Sequence, residues 1–129
     1  MPDKKGLILC VDDDRDVLDF LDIVLTGAGF EFAGADCAEK GLLAFRTRRP
    51  DAVILDMMME EVDSGSGLAK ELRLLGNRAP IFLLSSVGDG LVQATDYTPL
   101  GVVGVLQKPI AADQLISLLE ATLATAPAT

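Results

Sequence analysis

Residues 50–56 read Pro50-Asp51-Ala52-Val53-Ile54-Leu55-Asp56, an aliphatic run set between a proline and a carboxylate. A strand with one wet face alternates apolar and polar residues, and this run does not. Unbroken burial is the mark of a strand in a parallel sheet with helices on both faces. Working outward, the same kind of run recurs. Leu7-Ile8-Leu9-Cys10-Val11 reads as a first strand and ends in Asp12-Asp13-Asp14. Phe30 to Ala35 gives a second. Ile81-Phe82-Leu83-Leu84 is a fourth, finishing in Ser85-Ser86, and Val102 to Leu106 is a fifth, followed by Lys108-Pro109.

Amphipathic stretches separate these runs. Apolar residues at 17, 18, 21, 24, 25 and 28 share one helix face, with Asp14 as a natural N-cap and Gly29 as a stop. A second helix is predicted from about Ala38 to Arg46, with Asp36 or Cys37 near its cap. Arg46, Arg48 and Arg49 gather at its end, where cations suit the helix dipole, so a structural role is expected rather than a binding patch. The segment from Met57 to Ser66 reads as a loop, Gly67 to Leu75 as a helix, and Gly76-Asn77 as its stop. Between Gly90 and Thr98 the helical pattern is poor, and Pro99 cuts it. A last helix is predicted from about Ala112 to Ala124. The expectation is one domain over residues 1–129, with a core at about 6–124, a frayed tail at 125–129 and no internal repeat.

The composition narrows the classes of function. Half of the 129 residues are apolar, enough for one substantial core. No apolar run approaches the roughly 18 residues of a membrane span, and the start is too short for a signal-peptide core, which points to the cytoplasm. Net charge is −9 with no basic stripe, so this chain should not bind nucleic acid. Cys10 and Cys37, with no histidine in the chain, support no metal site and read as buried, reduced thiols.

In a parallel sheet, ligands bind outside the carboxyl ends of the strands. Those ends carry Asp12 and Asp13, Asp56, Ser85 and Lys108. Each has a plain reading alone: an acidic cap, a loop starter, a turn residue, a common Lys-Pro step. Together, on one edge, they make a chemical set. Converging carboxylates repel by about 4 kcal/mol per pair at 4 Å and intermediate dielectric, so a hard cation is expected between them, or else a tightly held proton. Mg²⁺ suits a small carboxylate cluster because it keeps several waters. A carboxylate there can attack phosphorus, with Lys108 as a point charge and Ser85 as a hydroxyl for the phosphoryl oxygens.

The residues Leu-Cys-Val-Asp12-Asp13-Asp14, Pro-Asp-Ala-Val-Ile-Leu-Asp56-Met-Met-Met, Pro-Ile-Phe-Leu-Leu-Ser85-Ser86 and Leu-Gln-Lys108-Pro109 closely resemble the receiver domain of bacterial two-component response regulators over about residues 6–124. The resemblance implies a flavodoxin-like, doubly wound five-stranded sheet in the order 2-1-3-4-5. It implies a histidine kinase or histidine phosphotransfer protein that donates a phosphoryl group to Asp56, and a downstream protein partner. Such a domain is not a classical enzyme, but it catalyses its own phosphorylation and dephosphorylation. By the same resemblance Asp12, Asp13, Asp56 and the backbone carbonyl of Met58 hold Mg²⁺, while Ser85 and Lys108 bind the phosphoryl oxygens.

The sequence also departs from the family pattern. Glu60 stands where proline is usual, Ser64-Gly65-Ser66 resembles an insertion after Asp63, and Val105 replaces the usual Tyr or Phe three residues before Lys108. A short β-branched side chain cannot make the rotation an aromatic ring makes there. Any switch is therefore expected to run through residues 57–66 and 85–92, with Tyr97 a weak substitute. The competing reading is a protein-interaction module that keeps the fold without phosphorylation. A small-molecule phosphatase would want a second aspartate two residues after the nucleophile, where Met58 stands.

Overall fold

The computed structural model describes residues 6–56, 64–85, 102–108 and 110–125. In chain order they form β1 (Leu7–Val11), α1 (Arg15–Gly27), β2 (Glu31–Ala35), α2 (Ala38–Thr47), β3 (Ala52–Asp56), α3 (Ser64–Leu74), β4 (Ile81–Ser85), β5 (Val102–Gln107) and α4 (Ala112–Thr125). The five strands make one sheet in the order β2-β1-β3-β4-β5, and every neighbouring pair is parallel. All residues of β1, β3 and β4 are buried, as unbroken aliphatic runs require. The two edge strands are only partly covered.

Alternation along the strands divides the core. Leu9, Val11, Val53, Leu55, Ile81 and Leu83 pack with Phe45 of α2 and with Leu68 and Leu72 of α3. Ile8, Cys10, Ile54, Phe82 and Leu84 pack with Leu21 and Leu25 of α1 and with Leu115 and Leu119 of α4. Helices therefore cover both faces, and each fully buried aliphatic side chain contributes roughly 1.5–3 kcal/mol. The stripe predicted for α1 lies on its buried side: Leu21 and Leu25 are in the core, and Val17, Leu18, Val24 and Ala28 pack against it. Asp14 caps α1 by accepting the Asp16 N–H at 2.9 Å. Past the helix end Gly29 takes φ 98°, which glycine tolerates best, while the Phe30 N–H reaches back to the Leu25 carbonyl at 2.9 Å.

Several boundaries differ from the sequence expectation. β3 starts at Ala52 rather than Asp51, because the Asp51 carboxylate accepts the Leu7 N–H at 2.7 Å and so fastens the start of β1. α3 starts at Ser64, so three residues expected in a loop are helical; Leu68 and Leu72 anchor that helix in the core, and tertiary packing overrides weak propensity. Cys10 is buried, but Cys37 is only half-buried at the N-cap of α2, where its side chain makes no capping bond. Both thiols are free.

The arginines after α2 have structural work. Arg48 pairs with Glu31 of β2. Arg49 lies 4.4 Å over the Phe45 ring and donates to the carbonyls of Leu75 and Gly76, so it caps α3 rather than its own helix. Val105 pairs with Leu83 in register and packs partly buried against the α2/α3 side of the core. Glu60, Asp63, Tyr97, the doubtful segment from Gly90 to Thr98, Pro99 and the tail at 126–129 lie outside the described residues, as do most of the two stretches expected to carry a switch.

Candidate metal and phosphoacceptor site

The carboxyl ends of β1, β3, β4 and β5 meet at one rim. Val11 pairs with Leu55, so Asp12 and Asp56, each one residue further, leave adjacent strands side by side. Asp56 pairs with Leu84, and Ser85 comes next on β4. Across the following gap Ser85 pairs with Gln107, and the Lys108 N–H donates to the Ser85 carbonyl at 2.8 Å. That backbone bond fixes where the Lys108 side chain begins.

Asp12 is fully buried, Asp56 is 3% exposed, Ser85 is 4% exposed, and Asp13 faces solvent. Lys108 Nζ stands 2.9 Å from Asp12 Oδ2 and 3.3 Å from Asp56 Oδ1. Burial alone lowers the lysine's affinity for its proton. The Asp12 carboxylate, then that of Asp56, outweigh that and raise the Lys108 pKa. The ammonium stays charged at neutral pH. Asp12 Oδ1 accepts the Asp14 N–H at 2.9 Å, which turns the chain out of β1 into the α1 cap.

One oxygen from each of Asp12, Asp13 and Asp56 lies within 4.8 Å of the others. Asp12 Oδ2 is buried with no donor in hydrogen-bond alignment, and its ammonium contact is an ion pair only. A buried carboxylate oxygen so placed, beside two more oxygens and open to solvent through Asp13, fits a hard divalent cation that keeps waters. A cleft of about 190 Å³ opens beside the rim, lined by Asp16, Val17, Phe20, Ile110 and Lys108. Ser85 sits at the rim as expected. Of the expected set only Met58 lies outside the described residues.

The role of Lys108 as internal counter-ion between Asp12 and Asp56 went beyond the sequence reading, which assigned relief of their repulsion to a metal. The signal was present: a lysine one residue past a strand end, on the edge that carries the aspartates.

The comparisons agree with this geometry. The family model described as the response regulator receiver domain matches residues 8–120. The transcriptional regulatory protein GlrR of Escherichia coli is 32% identical over 100% of this chain and 29% of its own length. The response regulator MprA of Mycolicibacterium vanbaalenii is 34% identical over 90% of this chain and 49% of its own. This chain thus spans half or less of those relatives. The crystal structure of the receiver domain of NtrX from Brucella abortus superposes with a TM-score of 0.82 at 30% identity, covering 92% of this chain and 99% of that one.

Proposed function

The chain belongs to the response regulator receiver domain family of two-component signalling, and on that premise we propose that it accepts a phosphoryl group on Asp56 in a Mg²⁺-dependent reaction. An Asp56 carboxylate oxygen attacks the phosphorus of a phosphohistidine on a kinase or phosphotransfer protein. The new O–P bond forms as the P–N bond breaks, its electron pair leaves with the imidazole nitrogen, and an acyl phosphate results. Asp12, Asp13 and Asp56 would hold Mg²⁺, which supplies charge neutralisation for the phosphoryl oxygens. Lys108, charged and already 3.3 Å from Asp56 Oδ1, is positioned to take a phosphoryl oxygen, and the Ser85 hydroxyl to donate to another. In this reading the domain catalyses its own phosphorylation and hydrolysis rather than turnover of a separate substrate.

The observation that carries the proposal is the buried Asp56 at the end of a central strand, beside the Lys108 ammonium and the Asp12 and Asp13 carboxylates. The cytoplasm is the proposed setting. Among the described residues no helix is long and apolar enough to cross a membrane. The transcriptional role in the relatives' names is not carried over to this chain, whose −9 charge opposes contact with a phosphate backbone. The test is intact-mass measurement after incubation with phosphoramidate. One phosphoryl group should appear with Mg²⁺ present, and neither a metal-free sample nor Asp56→Asn should gain it. Equal Mg²⁺-dependent yield in Asp56→Asn would assign the acceptor elsewhere.

A further inference from the structure

Beside the carboxylate rim stands a second charged group that the reaction above does not use. The Ala35 carbonyl accepts the Asp12 N–H at 3.0 Å, so Asp36, the next residue, follows β2 out of the sheet next to the metal-site end of β1. Its carboxylate holds two cations from two helices. Arg15, the first residue of α1, donates to Asp36 Oδ2 at 2.9 Å, and Lys40 of α2 stands 3.1 Å from Asp36 Oδ1. Both cationic side chains are largely exposed, at 77% and 62%. Lys40, by hydrogen bond, is the largest influence on the Asp36 carboxyl. With Arg15 it outweighs partial burial and keeps that carboxyl below its usual range, so the triad is fully charged at neutral pH.

Exposed ion pairs of this kind add little stability. Their consequence lies in where they put charge. Arg15 comes three residues after Asp12, so the two Cα atoms are at most about 11 Å apart. The site is net negative as three carboxylates against one ammonium, and a bound divalent cation only neutralises it. The site itself offers a phosphoryl dianion repulsion or no net attraction, whereas the Asp36 triad, two cations against one carboxylate, is net positive. We propose that Arg15 and Lys40, positioned by Asp36, form a cationic rim that captures the phosphoryl group of the donor before transfer to Asp56. The proposal rests on the phosphoacceptor reading of Asp56, and its ligand chemistry is a phosphoryl dianion, carried by a small acyl phosphate or by a phosphohistidine.

The test uses the whole chain with Mg²⁺ and acetyl phosphate. It compares second-order rate constants for Asp56 phosphorylation in wild type, Arg15→Gln/Lys40→Gln and Arg15→Lys, at low and high ionic strength, with thermal midpoints alongside. The double variant should be slower by about fivefold at low salt, with the gap closing at high salt, the midpoint unchanged and Arg15→Lys close to wild type. A double variant equal to wild type at low salt, or a loss of the same size at high salt, would overturn the proposal. A deficit confined to a phosphorylated histidine phosphotransfer protein, absent with acetyl phosphate, would also overturn it by assigning the cations to protein contact. A wild-type chain that takes no phosphoryl group is a different result, and it counts against Asp56 itself.

Discussion

Ile54 and Asp56 stand two residues apart on β3 and are buried alike, at 0% and 3% exposure. Ile54 faces Leu21, Phe82 and Leu115 in the α1/α4 half of the core, and its burial drives folding. Asp56 gives up water for a 3.3 Å contact with an ammonium that it shares with the fully buried Asp12. Buried ion pairs of this kind commonly fail to repay desolvation, and an apolar replacement of the whole group is often no less stable. The bodies of the central strands therefore supply stability, and their carboxyl ends draw on it. Such an arrangement makes sense where the charges have work to do.

The contrast can be broken at either end. Ile54→Ala removes a side chain with no room to collapse, and should lower unfolding free energy by about 4 kcal/mol. Urea denaturation should show a lower midpoint at unchanged slope. A loss below about 1 kcal/mol would mean that the strand bodies are not where stability resides. Lys108→Met removes the ammonium that the buried Asp12 and Asp56 share, for a metal-free loss of about 3 kcal/mol. The pH dependence has a definite sign. Because the folded pKa of Lys108 is raised, its contribution is fully present below the unfolded value of about 10.4 and fades as pH climbs through the higher folded value. The gap between wild type and Lys108→Met should hold steady through neutral pH and narrow only in strong alkali. A gap that already narrows between neutral pH and 9 would contradict the pairing.

A smaller effect is expected at Gly41, where α2 lies close against Val11 of β1. A Cβ there would lie 2.9 Å from Val11 Cγ2 and 3.4 Å from Leu68 Cδ2. Alanine gains about 1 kcal/mol of helix propensity, but overpacking against a stiff valine in a central strand costs about 2. Gly41→Ala should therefore lose about 1 kcal/mol net, and a stabilised variant would show that α2 can lift from the sheet.

The same contrast governs what could be read from the sequence. Strand bodies were legible because four or five consecutive buried positions leave an unbroken aliphatic run, as in Ala52–Leu55 and Leu7–Val11. The aspartates, Ser85 and Lys108 were legible because each sits just past such a run, and a parallel sheet sends all those ends to one edge. Less legible was anything decided by contacts distant in sequence. Nothing local reveals that Arg49 reaches the carbonyls of Leu75 and Gly76, or that Asp51 turns back to the Leu7 N–H. Ser64-Gly65-Ser66 has the composition of a loop, and only the anchoring of Leu68 and Leu72 makes it the first turn of α3. Val105 was recognised as a departure. Its inward packing beside Leu83 gives it a place in the core instead of a free ring to rotate.

Thermal unfolding against Mg²⁺ concentration, in wild type and Asp56→Asn at neutral pH, tests most directly whether the carboxyl rim keeps its charges for a cation. Binding to the native state alone stabilises by RT ln(1 + [L]/Kd), so the wild-type midpoint should climb steadily as Mg²⁺ rises to about 10 mM. Asp56→Asn should begin at or above the metal-free wild type, because one of the crowded carboxylates is gone, and should then stay nearly flat. A wild-type midpoint indifferent to Mg²⁺ over that range, or an equal climb in Asp56→Asn, would contradict the assignment of Asp12, Asp13 and Asp56 as a metal site.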